Sequence, residues 1–173
     1  DLDATVIKNS ESFWADAAYT LGVRAVGRGS EGRLDLWMEG HFAGMRPHTH
    51  HQFRDGLTVD RRVIGYPLGP LATSLQVGLD WRGRSHIVSL AGAWEDYSGD
   101  DWTFPTEASP WIRSADNPDE VRLRAVIDWT REQAGSDLQT SVRLAYEHVA
   151  HFNFTDQDRS NYFAQIRVEW LPN

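Results

Sequence analysis

The stretch RLDLWMEGHF, residues 33–42, decides the fold of this chain. Successive side chains of a β-strand point to opposite faces, so an alternation with period two separates two kinds of surface. Here one face is almost wholly apolar and the other carries charges of both signs. The apolar members Leu34, Leu36, Met38, Gly40 and Phe42 interleave with Arg33, Asp35, Trp37, Glu39 and His41. The stretch predicts a long strand whose two faces meet different environments.

The same alternation returns towards the C-terminus, and polar joints rich in glycine or proline separate its occurrences. The later apolar sets are Leu75, Val77, Leu79 and Trp81; Val121, Leu123, Ala125, Ile127 and Trp129; Leu138, Thr140, Val142, Leu144 and Tyr146; and Tyr162, Ala164, Ile166, Val168 and Trp170. The residues between them are mostly Arg, Asp, Glu, Gln, Ser or Thr. The pattern predicts an all-β protein, with residues 1–173 in a single domain.

Two architectures use such strands: a soluble sandwich or barrel with the apolar face inward, and a membrane barrel with that face in lipid. Strands of soluble proteins usually run about five or six residues. A tilted membrane-spanning strand needs about nine to eleven, and the segments here reach or approach that length. Several apolar faces also end in an aromatic residue, as an interfacial girdle would: Trp81, Trp94, Trp129, Tyr146 and Trp170. We therefore predict an antiparallel, up-and-down transmembrane β-barrel.

Composition narrows the function classes. The chain has no cysteine, which excludes disulfides and thiolate chemistry, and its net charge of −8 comes without any block of Lys or Arg. That balance argues against a nucleic-acid partner. A mean hydropathy of −0.51 argues against a helical membrane protein, whereas a barrel passes this test because half of each strand is polar. Of the 17 cations only Lys8 is not arginine, which suits a lumen with planar ion pairs.

About eight strands are predicted, over residues 13–26, 33–45, 58–66, 73–81, 85–97, 120–130, 137–152 and 160–171. Short joints lie at 28–32, 82–84 and 134–136, and long ones at 46–57 and 98–119. In an outer-membrane barrel the short turns lie on one side and the long loops on the other. The predicted order of short and long joints fits that alternation only roughly. The third strand is the weakest because Pro67 and Pro70 interrupt it. Since the chain opens at Asp1 and a strand begins almost at once, we expect the C-terminal portion of a larger barrel.

Residues 53–70, FRDGLTVDRRVIGYPLGP, followed by LQVGL at 75–79, resemble the C-terminal part of the Wzi-type capsule-assembly proteins of the bacterial outer membrane. In that family a short R-V-I/L-G-H/Y-x-L-G element precedes a strand rich in Leu and Gly. The likeness covers residues 53–170. It implies a large closed barrel that holds capsular polysaccharide on the cell surface and has no established catalytic residues. This chain departs from the family in its length and in ending on Leu171-Pro172-Asn173, where outer-membrane barrels commonly end on an aromatic residue.

A histidine cluster is the first candidate site. His48 and His50 share a face of an extended chain and could hold a divalent ion, with His51 and His41 nearby. Asp55 is the one carboxylate at a suitable spacing. Because the run lies in a polar segment, we expect a solvated or lumen-lining loop and no metal or other cofactor.

A loop rich in aromatic and acidic residues follows the fifth predicted strand. Aromatic rings stack on sugar faces, and carboxylates beside them accept hydroxyl hydrogens, which is the usual means of holding carbohydrate. The predicted carbohydrate-binding residues are Tyr97, Asp100, Asp101, Trp102, Trp111 and Arg113. A long loop that packs on itself would have the same composition.

The sequence does not predict an enzyme. Ser85 and His86 are adjacent, so on a strand they point to opposite faces and do not pair. Ser141 and His148 lie on one predicted strand, and Glu95 with Asp101 would be a glycosidase pair only if their separation were fixed. No nucleophile elbow, phosphate-binding loop or H-E-x-x-H sequence occurs.

The predicted function is that of a monomeric barrel in the bacterial outer membrane. It would contact outer-membrane lipid and bind or anchor capsular or other extracellular polysaccharide through its long loops. Two alternatives are an outer-membrane porin, in which rows of Arg and carboxylates create a selective field, and a soluble lipocalin-like barrel that holds a small hydrophobe.

Overall fold

The computed structural model describes residues 18–44, 58–59, 62–63, 71–103, 112–132 and 138–170, and its strands alternate in direction along the chain. The strands are β1 (Ala18–Gly29), β2 (Gly32–Ala43), β3 (Thr58–Val59), β4 (Arg62–Val63), β5 (Ala72–Arg82), β6 (His86–Tyr97), β7 (Asp100–Thr103), β8 (Ile112–Asp116), β9 (Glu120–Glu132), β10 (Leu138–Ala150) and β11 (Arg159–Trp170).

Seven of these strands form one antiparallel, up-and-down sheet in the order β1-β2-β5-β6-β9-β10-β11. The sheet confirms the all-β prediction, and six of its strands lie within two residues of the predicted ranges at each end. The first, β1, ends three residues later than the predicted range 13–26, of which 13–17 lie outside the described residues. Its strands run from 11 to 13 residues, about twice the usual length in soluble proteins. β1 and β11 are the edges, and no pairing joins them among the described residues. No helix in the described ranges is long and apolar enough to span a bilayer.

The third predicted strand, residues 58–66, is wrong as a member of this sheet. In the described part of that range, Thr58–Val59 and Arg62–Val63 pair with each other as a small separate hairpin. Thr58 is opposite Val63, and Val59 is opposite Arg62. The described residues of the range therefore pair with each other and not with a strand of the large sheet.

Without that strand, the joints of the sheet alternate strictly between its two ends. The joints at 30–31, 83–85 and 133–137 all lie at one end, and those at 44–71, 98–119 and 151–158 all lie at the other. We call the second the long-joint end. The separate hairpin β7–β8 belongs to the joint 98–119. The order of joints that the sequence predicts fits an up-and-down meander only roughly. The order in the structure fits it closely.

The two faces of the sheet are those that the alternation predicts. The pairing register aligns Leu36, Leu79, Leu90, Ile127 and Leu144 in one continuous apolar row across five strands. Four of these side chains are exposed, from 40% for Ile127 to 49% for Leu144, and Leu79 is half-buried. We call this surface the apolar face and the opposite one the polar face.

Burial is inverted relative to a soluble protein. Every buried residue other than glycine in the described ranges lies on the polar face, and most of them are polar or charged: Asp35, His41, Ser74, Glu95 and Glu120, with Ala43, Ala72 and Val149. Large exposed hydrophobic residues are normally few and scattered. Here the large exposed hydrophobic residues cover one face of the sheet, and the buried charged residues lie on the other face.

Candidate functional site

The candidate site is a hollow on the polar face, towards the long-joint end, with a volume of about 420 Å³. Its floor consists of small side chains on the central strand β6, chiefly Ala91 and Ala93. The register sets Ala93 between Gln76 on β5 and Arg124 on β9. Ala91 lies between Gly78 and Val126, so small side chains at the centre of the sheet leave a depression beside the longer ones.

Trp37 forms one wall of the hollow. It can do so because Gly78 has no side chain in the space that the indole fills. The two residues are opposite each other on β2 and β5. A Cβ atom added at Gly78 would lie 2.2 Å from Cε2 of the Trp37 indole, well inside contact distance. The ring therefore lies across the backbone at Gly78, in space that any other residue would occupy.

Glu95 is the most deeply buried side chain at the site, with 2% of its surface exposed. Arg124 donates to its Oε1 atom, and the Tyr97 hydroxyl donates to its Oε2 atom at 2.9 Å. A buried carboxylate is stable when it is paired and hydrogen-bonded. Glu95 thereby holds both Arg124 and Tyr97 in place beside the hollow.

Arg122 is held by two further contacts. Its guanidinium carbon lies 4.8 Å from the centre of the Tyr97 ring, within the range of a cation–π interaction. Its Nε donates to Glu120 at 2.7 Å, and the second oxygen of that buried carboxylate accepts from the backbone N–H of Asn153 at 2.7 Å. This last contact ties the site to the joint between β10 and β11.

The hollow thus combines one indole, one phenol, two guanidiniums and two buried carboxylates. The formal charges of Arg122, Arg124, Glu95 and Glu120 cancel, so the site is polar but balanced. Both arginines remain partly exposed, with 37% and 45% of their side chains accessible. A guanidinium has five N–H donors, more than one carboxylate accepts, so each arginine can also donate to a ligand.

A second group of ion pairs lies on the polar face nearer the short joints. Asp35 accepts from Arg24 on β1 and from Arg33, both at 2.7 Å. Arg143 on β10 pairs with Asp128 on β9. The pairs Arg24–Asp35 and Arg143–Asp128 link neighbouring strands, and Arg33–Asp35 lies within β2. The face carries charges of both signs, as the sequence predicts.

The structure locates part of the predicted carbohydrate loop. Tyr97 ends β6 and lines the hollow. The backbone N–H of Asp100 donates to Ser98 Oγ at 3.3 Å. Asp101, Trp102 and Arg113 belong to the β7–β8 hairpin, where Trp102 and Arg113 are opposite each other, and Trp111 lies outside the described residues. The structure does not test whether this loop binds sugar, so the sugar site stays a prediction from the sequence.

The histidine cluster His48, His50 and His51 also lies outside the described residues, as does Asp55. His41 is buried on the polar face and contacts Thr20 Oγ1 through Nδ1 at 2.7 Å. Within the described ranges no three His, Cys, Asp or Glu residues are grouped so that they could hold a metal ion.

Ser141 and His148 both lie on β10, on one strand as the sequence predicts, but on its opposite faces. His148 lies on the apolar face and contacts Ser160 on β11, with 3.1 Å between Nδ1 and Oγ, while Ser141 lies on the polar face opposite Arg167. His86 stacks on Trp129. Glu95 accepts hydrogen bonds from Arg124 and Tyr97.

Sequence reasoning missed most of the hollow because its residues are brought together by strand pairing. Of the predicted carbohydrate-binding residues whose side chains the structure describes, only Tyr97 lines the hollow. A signal was nevertheless present: Gly78, Ala91 and Ala93 are small residues at positions of the polar face where the other strands carry long polar side chains. Such gaps in a charged face predict a depression.

Searches of protein-family models, of curated proteins and of solved structures found no match to this chain. The resemblance to the Wzi-type family therefore stays a prediction from the residues quoted above.

Proposed function

We propose that this chain forms the wall of a β-barrel in the bacterial outer membrane and binds or anchors extracellular polysaccharide there. The observation that carries the proposal is the inversion of the two faces. Exposed Leu, Val, Ile and aromatic side chains cover one face, and the buried carboxylates all lie on the other. In lipid the apolar face is not exposed to water, so it carries no free-energy penalty. The charged face suits the lumen of a barrel.

Strand length and connectivity support the membrane setting. Strands of 11 to 13 residues are long enough to cross the hydrocarbon core, for which a tilted strand needs roughly nine to eleven residues. The strict alternation of short and long joints matches barrels whose short turns lie in the periplasm and whose longer loops lie outside the cell. On this proposal the long-joint end faces the exterior.

The placement of the hollow supports the polysaccharide part of the proposal. The hollow lies towards the long-joint end, beside Tyr97, and the joint 98–119 that follows carries the predicted carbohydrate-binding residues. An extracellular glycan would meet these groups first.

The test is extraction of the full chain with and without detergent, followed by electrophoresis of boiled and unboiled samples. We expect detergent-dependent solubility and a band whose mobility changes on heating, because a closed barrel resists the detergent of the gel until it is boiled. A stable monomer in plain buffer would refute the membrane barrel and favour the lipocalin-like alternative, in which the apolar face turns inward.

A porin is the second candidate, and the ion pairs of the polar face favour it. Rows of Arg and carboxylate in a lumen create a field that selects among solutes, and Arg24, Arg33 and Arg143 all lie on this face with their acidic partners. Stable conductance steps in a planar lipid bilayer would support the porin. Their absence, together with retention of polysaccharide, would support the anchoring function.

A further inference from the structure

We propose that the hollow beside Trp37 holds one neutral hexose unit of a glycan chain, with the indole as its stacking platform. The inference deepens the proposed function and rests on it, because the polar face is the one that a barrel would turn towards its lumen. It concerns a site in the wall of the sheet, separate from the loop residues that the sequence predicts.

Size is the first reason. At about 420 Å³, the hollow lies near the lower end of the range of small-molecule sites, roughly 300–1,000 Å³. It suits a ligand of one or two rings and is too small for a folded peptide segment. It lies near the long-joint end, which on the proposed function faces the exterior.

Preorganisation of the indole is the second reason. Trp37 lies across Gly78, where no other residue leaves enough space, so the ring is restrained before any ligand binds. An aromatic ring that is already fixed loses little conformational entropy on binding. The apolar face of a pyranose, formed by C–H groups, fits such a flat surface.

The balance of positive and negative charges at the hollow is the third reason, and it favours a neutral sugar over a charged one. Arg122 and Arg124 are each neutralised by a buried glutamate, Glu120 and Glu95. Both guanidiniums are therefore held in position with N–H donors to spare, but the hollow has no net positive charge to attract a polyanion. Hydroxyl groups accept from such donors without requiring charge compensation.

The test uses the full chain in the medium that keeps it folded. Calorimetric titrations compare neutral trisaccharides of glucose, galactose and mannose with a trisaccharide of galacturonic acid. We expect saturable binding of at least one neutral trisaccharide and weaker binding of the acidic one. Preference for galacturonate would overturn the neutral-sugar assignment, and no saturable binding of any of them would overturn the site.

Two alanine-to-leucine variants locate the binding. Ala93→Leu fills the floor of the hollow without removing a charge, and Ala125→Leu adds the same atoms to the apolar face of the adjacent strand. We expect Ala93→Leu to weaken binding at least about tenfold, equivalent to about 1.4 kcal/mol, and Ala125→Leu to leave it within twofold. Equal affinities of the two variants would place the sugar elsewhere.

A third variant keeps the test decisive if Ala93→Leu fails to fold. Trp37→Ala removes the platform, and Trp94→Ala removes an exposed indole from the apolar face as its control. We expect only Trp37→Ala to abolish the change in tryptophan emission on adding the trisaccharide, and an unchanged signal would overturn the stacking. If the chain is soluble without detergent yet binds the sugar, the membrane barrel is refuted and the sugar site stands. If it forms a barrel but does not bind the sugar, only the sugar site is refuted.

Discussion

Arg143 on β10 holds Asp128 on β9 through two parallel hydrogen bonds, from Nε to Oδ1 at 2.6 Å and from Nη2 to Oδ2 at 3.0 Å. The two residues are directly opposite each other in the pairing register. All the ion pairs found within the described ranges lie, like this one, on the polar face. Strand pairing therefore places complementary charges on one side of the sheet, whereas the charged residues that the register puts on the other side, Asp96 and Arg131, lie near its two ends.

The first prediction concerns the strength of that pair. A double-mutant cycle of Arg143→Gln and Asp128→Asn should give a coupling energy of no more than about 1 kcal/mol, because both side chains are accessible to water. The measurement is the free energy of unfolding from a urea titration of the two single variants and the double variant. A coupling energy of several kcal/mol would mean that the polar face is far drier than an open lumen.

Glu95 should matter much more than an exposed glutamate. Glu95→Leu leaves the Tyr97 hydroxyl and Arg124 without their buried acceptor, and we expect a loss of about 1–3 kcal/mol in the free energy of unfolding. Glu169→Leu is the matched control, since its pair with Arg167 is exposed and should contribute less than about 1 kcal/mol. Equal losses in the two variants would contradict the structural role of Glu95.

Gly78 should tolerate no side chain while Trp37 stays in place. Gly78→Ala introduces a Cβ atom into the indole, so we expect a loss of about 1–3 kcal/mol from overpacking and a changed near-ultraviolet circular dichroism spectrum. In the control Gly40→Ala, the nearest atoms to the added carbon are 3.9 Å away, which is ordinary contact. A Gly78→Ala spectrum identical to that of Gly40→Ala would show that the indole is not fixed by this glycine.

The sheet was predictable from the sequence because its signal is local. The alternation between residues 33 and 42 contains both faces of β2, and the predicted boundaries of β6 and β9 agree with Tyr97 and Glu120. The prediction for the range 58–66 is wrong because β-prone residues such as Val59 and Val63 suit a short separate pair of strands as well as one long strand. The hollow depends on pairing between distant positions such as Trp37, Gly78 and Ala91, and the sequence does not state which strands are neighbours.

The last prediction tests directly what the apolar face contacts. Leu144 and Ala145 are neighbours on β10 that lie on opposite faces, and Leu144 belongs to the central apolar row. An arginine on the lipid face near the bilayer midplane costs about 2–4 kcal/mol, whereas lumen positions accept charge. Leu144→Arg should therefore lower the free energy of unfolding in lipid vesicles by that amount, and Ala145→Arg by less than about half of it. If both variants lose equally little, the apolar face meets water rather than lipid. If Ala145→Arg loses more, the polar face is the packed interior and the assignment of the two faces is reversed.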